Sequence, residues 1–115
     1  MSVIEIMYGH RVEPKAPGES SYLKLDYPPV KEAVSSWQLK RLHALSQKAG
    51  LPDNPEHFVF SYTKESETWD TPETQARTNF VAAICKDKFW GGLIAKAAGG
   101  RIDFPIFREL HITVC

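Results

Sequence analysis

Residues 106–114 read Ile106-Phe107-Arg108-Glu109-Leu110-His111-Ile112-Thr113-Val114. Side chains on a strand point alternately to two faces, so Ile106, Leu110, Ile112 and Val114 share one side and Phe107, Glu109, His111 and Thr113 the other. The first row is apolar enough to bury. The second mixes an aromatic ring, a carboxylate, an imidazole and a hydroxyl, which suits a sheet covered by helices on one face and open on the other.

The rest of the chain supplies the parts of such a sheet. Residues 57–63 repeat the pattern, with Phe58, Phe60 and Tyr62 on one side and His57, Val59, Ser61 and Thr63 on the other. Near the N-terminus, residues 3–8 are rich in long and β-branched apolar side chains and stop at Gly9. Residues 20–27 set Leu23, Leu25 and Tyr27 against Tyr22, Lys24 and Asp26. These first two strands are expected to pair as a hairpin across a long, proline-containing loop.

Pro28-Pro29 closes the second strand, and a helix is expected from Val30 to Ala49, capped by Gly50, with Val30, Ala33, Val34, Trp37, Leu42, Leu45 and Ala49 as its apolar stripe. Arg41 interrupts that stripe and is expected to snorkel, with its stem packed and its guanidinium in water, or else to meet a carboxylate or ligand. A second helix should open at Asp70-Thr71-Pro72-Glu73, with Asp70 and Glu73 as a reciprocal cap. Running on to Ala98 it would reach about 42 Å, too long for a domain of this size, so it must break, and Gly91-Gly92 is the expected place. The expectation is a two-layer α+β sandwich of order ββαβα(α)β: a four-stranded, mostly antiparallel sheet with two helices, or three after the break, on one face.

Composition narrows the setting. The chain has 115 residues, 43% of them apolar, with 14 basic and 14 acidic groups and zero formal charge. That is one domain, able to hide roughly two-thirds of its unfolded surface without metal or disulfide staples. With no excess positive field, nucleic acid and anionic lipid are not expected partners. The longest apolar run is about six residues against the ~20 that span a bilayer. Cys85 and Cys115 form no framework of bridges, and the N-terminal residues lack a basic leader, which together point to the cytoplasm.

Chemistry gathers on the open face. Glu109 and His111 lie two apart on one strand, as an orienting carboxylate and a general base would. His111 and Thr113 form an H-x-T string within Leu110-His111-Ile112-Thr113-Val114 that resembles one half of the motif of two-histidine phosphoesterases. The other half is missing, since His10, His43 and His57 are followed two positions later by Val12, Leu45 and Val59. The candidate catalytic residues are therefore His111, Glu109 and Thr113.

Tyr22, Lys24, Val59, Ser61 and Phe107 are the candidate ligand-binding or interface residues of that face, and Trp69 and Trp90 are aromatic candidates elsewhere. Trp69 lies in the acidic stretch 65–73, which suits a cationic or protein partner. Gly92 with Lys96 is a candidate anion-holding helix start. No metal site is expected: His111 and Cys115 would stand roughly 13 Å apart on a strand, and no CxxC or HExxH occurs. No cofactor is expected either.

The reading that follows is a binding or interaction module whose open sheet face joins a second copy of the chain or encloses a small ligand. Its rivals are a small hydrolase or acid-base enzyme, with a phosphoester as one candidate substrate and His111 as base, and an inhibitor-like protein that binds another protein through the Trp69 stretch.

Overall fold

The structure is a computed structural model and describes residues 2–52, 58–63, 71–100 and 108–114. Its elements are β1 (Ser2–Val12), β2 (Tyr22–Leu25), β3 (Val30–Val34), α1 (Ser36–Ala49), β4 (Phe58–Thr63), α2 (Pro72–Lys86), α3 (Lys88–Ala97) and β5 (Arg108–Val114). The described strands make one open antiparallel sheet in the order β2-β1-β5-β4, with β3 also paired to β1. The α+β class is as expected, but the sheet has five strands where four were read.

The additional strand is β3. Val30 and Val34 are four apart, a spacing that places two residues on one side of a helix and equally on one side of a strand. β1 runs to Val12, past Gly9, and its first half pairs with β3 from Ser2↔Val34 to Ile6↔Val30. Five cross-strand pairs and two buried valines outweigh local helix preference. Helix α1 therefore begins later, at Ser36. Ser35 caps it, its hydroxyl accepting from the Gln38 amide while Gln38 accepts from the Ser35 amide.

β2 and β3 lie end to end along one edge of β1. Leu25 stands opposite Gly9 and Val30 opposite Ile6, so residues 26–29 bulge out against residues 7–8. Pro28 and Pro29 occupy that bulge, where their missing amide protons cost no ladder bond.

The three described helices are on one face: α3 lies over β1 and β3, α2 over β4, and α1 packs on α2. The shared core takes Ile4, Ile6 and Tyr8 from β1, Phe58 and Phe60 from β4, Leu110, Ile112 and Val114 from β5, and Phe80, Ile84, Trp90 and Ile94 from the helices. Phe80 stands edge-on to Phe60 at 4.8 Å between ring centroids, joining α2 to the sheet.

The helix break comes at Asp87, before the Gly91-Gly92 pair. Thr71 rather than Asp70 caps α2, with Pro72 in the first turn; Asp70 is outside the described residues. Asp87 ends α2 and caps α3, its Oδ2 accepting from the Phe89 and Trp90 amides. Gly91 lies inside α3, where a Cβ would come 2.5 Å from the Cys85 carbonyl oxygen, so glycine is what lets α3 pack so close to the end of α2. Arg41 does not snorkel freely. Its Nε donates to Asp87 Oδ1, tying α1 to the α2–α3 corner. Trp37, read as part of the buried stripe, is 67% exposed, because it lies five residues before the buried Leu42 and so on the far side of α1.

Candidate functional site

Register decides which side chains share the open face. β5 pairs with β1 through Tyr8↔Leu110, Ile6↔Ile112 and Ile4↔Val114, all buried, so the residues between them point away from the helices. The open face thus carries Val3, Glu5, Met7 and Arg11 of β1, Glu109, His111 and Thr113 of β5, and Val59, Ser61 and Thr63 of β4.

His111 is flanked on its two neighbouring strands by Ser61 and Met7, its direct cross-strand partners. Its Nδ1 is 2.9 Å from Ser61 Oγ, and its Nε2 is 3.1 Å from Glu109 Oε1. Glu109 sits opposite Gly9, whose lack of a side chain is required because a Cβ there would meet the Lys24 carbonyl oxygen of β2. Past Gly9, Arg11 turns back to Glu109 and donates through Nε and Nη2 at 2.9 and 2.8 Å, a two-pronged pairing. Four side chains from three strands form one continuous chain: Arg11, Glu109, His111, Ser61.

The protons in this chain can be assigned. Hydrogen bonding from Arg11, against the opposing effect of burial and with further help from His111, holds the Glu109 carboxyl below the usual carboxylate range. Arg11 is held correspondingly above its ordinary value, first by its hydrogen bond to Glu109. An ionised Glu109 only accepts, so Nε2 of His111 carries a proton, and in the form of the ring that holds a single proton Nδ1 presents its lone pair to Ser61. In that form Ser61 Oγ–H donates to Nδ1.

The expected residues fare unequally. Glu109, His111, Ser61, Val59 and Thr113 share the open face, with Glu109, His111 and Ser61 hydrogen-bonded in series. Thr113 is placed between Val59 and Glu5, one step along the strand from this chain. Tyr22 and Lys24 do not join it. They pair with Val12 and His10, which continue the Ile4/Ile6/Tyr8 side of β1, so it is Leu23 and Leu25 that lie on the open face. Alternation gave the period of this strand; its pairing with the far end of β1 set the side.

Trp90 is fully buried in the core and cannot take a ligand there. Gly92 is inside α3 rather than at a helix start, and Lys96 pairs with Glu32 at 3.2 Å. Phe107 and Trp69 lie outside the described residues. Arg11, missed as part of the site, was a loop residue on the expectation that β1 ended at Gly9.

A second polar cluster occupies the helix-side end of the sheet. Asp26 accepts from Arg108 Nε at 2.9 Å and bonds His10 Nδ1 at 2.8 Å, beside a cavity of about 140 Å³ lined by Tyr8, Asp26, Tyr27 and Arg108. No group of three His, Cys, Asp or Glu among the described residues is arranged to hold a metal ion. No described helix is long and apolar enough to cross a membrane. Comparison with known proteins gives no match, whether to family models, to curated proteins or to solved structures.

Proposed function

We propose that the protein is a binding module that works through the open face of its sheet, and that the occupant of the face is a second copy of the chain. The observation that carries this reading is the internal pairing of the face's charges. Glu109 is matched by Arg11, and Glu5 by Lys31 at 3.2 Å. A face that carries equal and locally paired charge does not repel its own two-fold mate, and groups already bonded to one another are covered at lower cost than lone ones. Around them stand Val59, 66% exposed, and Val3, 47% exposed, with Met7, Leu23 and Leu25 partly covered. A small ligand enclosed over His111 is compatible with the same face. The cytoplasm belongs to this reading, supported by Cys85, which is a free thiol.

The test is the solution mass as a function of concentration. A dimer should form at micromolar concentration in the native chain and be lost in Val59→Arg, which places an unpaired charge on the face. A monomer throughout, or a dimer indifferent to Val59→Arg, rejects the reading.

A further inference from the structure

We propose that Ser61 is a nucleophile for acyl transfer, with His111 as its general base and activated esters of short apolar acids as the substrate class. The inference goes beyond association through the face and does not depend on it. Three features carry it. Ser61 Oγ stands 2.9 Å from His111 Nδ1, within reach for proton transfer. The other ring nitrogen is held by Glu109 at 3.1 Å, which leaves Nδ1 as the basic one and stabilises the imidazolium that forms. Ser61 also lines, with Val59 and Phe60, a cavity of about 400 Å³ beside the edge strand β4, whose described lining is mainly apolar, including Leu51, Pro52 and Ala76, with Glu73 and Arg77 as its charged members. That lining matches a short hydrocarbon acyl group.

In the first step the Oγ–carbonyl carbon bond forms as the hydroxyl proton passes to Nδ1. Collapse of the tetrahedral adduct breaks the bond to the leaving alkoxide, which takes that proton from Nδ1. Water then attacks the acyl-serine, its proton moving to Nδ1 and on to Ser61 Oγ as the acid departs. His111 and Ser61 are the catalytic residues, while Glu109 and, behind it, Arg11 are positioning residues.

The experiment is reaction of the full chain with a fluorophosphonate, at a concentration low enough that the chain is monomeric. The reagent transfers its phosphonyl group to Oγ and expels fluoride, and the serine proton is released to water through His111. Intact mass and peptide mapping should find one adduct per chain, on Ser61, absent in Ser61→Ala and formed at least about a hundredfold more slowly in His111→Ala. Hydrolysis of p-nitrophenyl butyrate should follow the same order.

Ring-nitrogen NMR should show Nε2 protonated and Nδ1 bare in the native chain, and Glu109→Gln should shift that tautomer balance and slow labelling. No adduct on Ser61, an equal rate in His111→Ala, or a proton on Nδ1 of the neutral ring overturns the proposal. Because labelling is read on the monomer, its failure is distinct from failure of the dimer.

Discussion

Arg41 of α1 and Asp87 at the α2–α3 corner are joined by a hydrogen-bonded ion pair whose acidic member is almost wholly covered, its side chain 2% exposed. One residue serves three elements. Oδ1 takes the guanidinium from α1, Oδ2 takes the first free amides of α3, and the Asp87 amide itself donates to the end of α2. A buried charge is tolerated here because its oxygens are bonded, two of the donors being helix-terminal amides that otherwise lack partners.

Asp87→Ala should therefore be among the more damaging single changes outside the apolar core. Loss of the cap alone costs about 1–2 kcal/mol, and Arg41 loses its partner besides. Arg41→Ala should cost less, since the cap survives. Urea denaturation of both variants checks the order, and an equal or reversed order would remove Asp87 from the centre of the corner.

Acid should weaken the fold through two carboxylates. Burial works to raise the Asp87 pKa, but the Trp90 amide, Arg41 and the Phe89 amide overcome it and hold it low; Glu109 is held low chiefly by Arg11. A carboxyl whose folded pKa lies below its unfolded value contributes fully above the unfolded value, about 4. That contribution is lost as pH falls through the depressed folded value. Stability measured from about pH 6 to pH 2 should be flat and then fall below roughly pH 4, with a shallower fall in Asp87→Asn.

The adjacent glycines of α3 should respond with opposite sign. At Gly92 an added Cβ meets nothing within 4 Å, so Gly92→Ala should stabilise by about 0.5–1 kcal/mol through the entropy of the unfolded chain. At Gly91 it would press on the Cys85 carbonyl, and the backbone must shift. Thermal melts of the two variants should bracket the native chain, Gly92→Ala above and Gly91→Ala below.

Cys85 should be a slow thiol. Burial pushes its pKa up to about 11, leaving roughly 0.1% thiolate at pH 8, and the thiolate is the reactive form. Alkylation followed by peptide mapping should find Cys85 modified far more slowly in the folded chain than in urea. Equal rates would show the corner to be open to solvent.

Much of this molecule was legible in local pattern. The rows on β4 and β5 were read correctly, with Phe58, Phe60, Leu110, Ile112 and Val114 inward and Ser61, Glu109 and His111 outward. They were legible because a period of two along a few residues survives whatever the strand pairs with. The misreadings share a cause. Val30 and Val34 fit a helix and a strand equally, Leu23 and Leu25 mark one side of β2 without saying whether helices cover it, and nothing near Arg41 announces Asp87, 46 residues later. Each depended on a distant neighbour.

The sequence by itself determined the periods, the turns and the one strand on which Glu109 and His111 stand together. Tertiary structure alone decided that Ser61, 50 residues before His111, lies directly across from it, and that Arg11, 98 residues before Glu109, reaches back to it. Side-chain alternation is set by local backbone geometry, whereas strand partners and register are chosen by the burial of whole rows against the helices, which couples residues far apart in the chain.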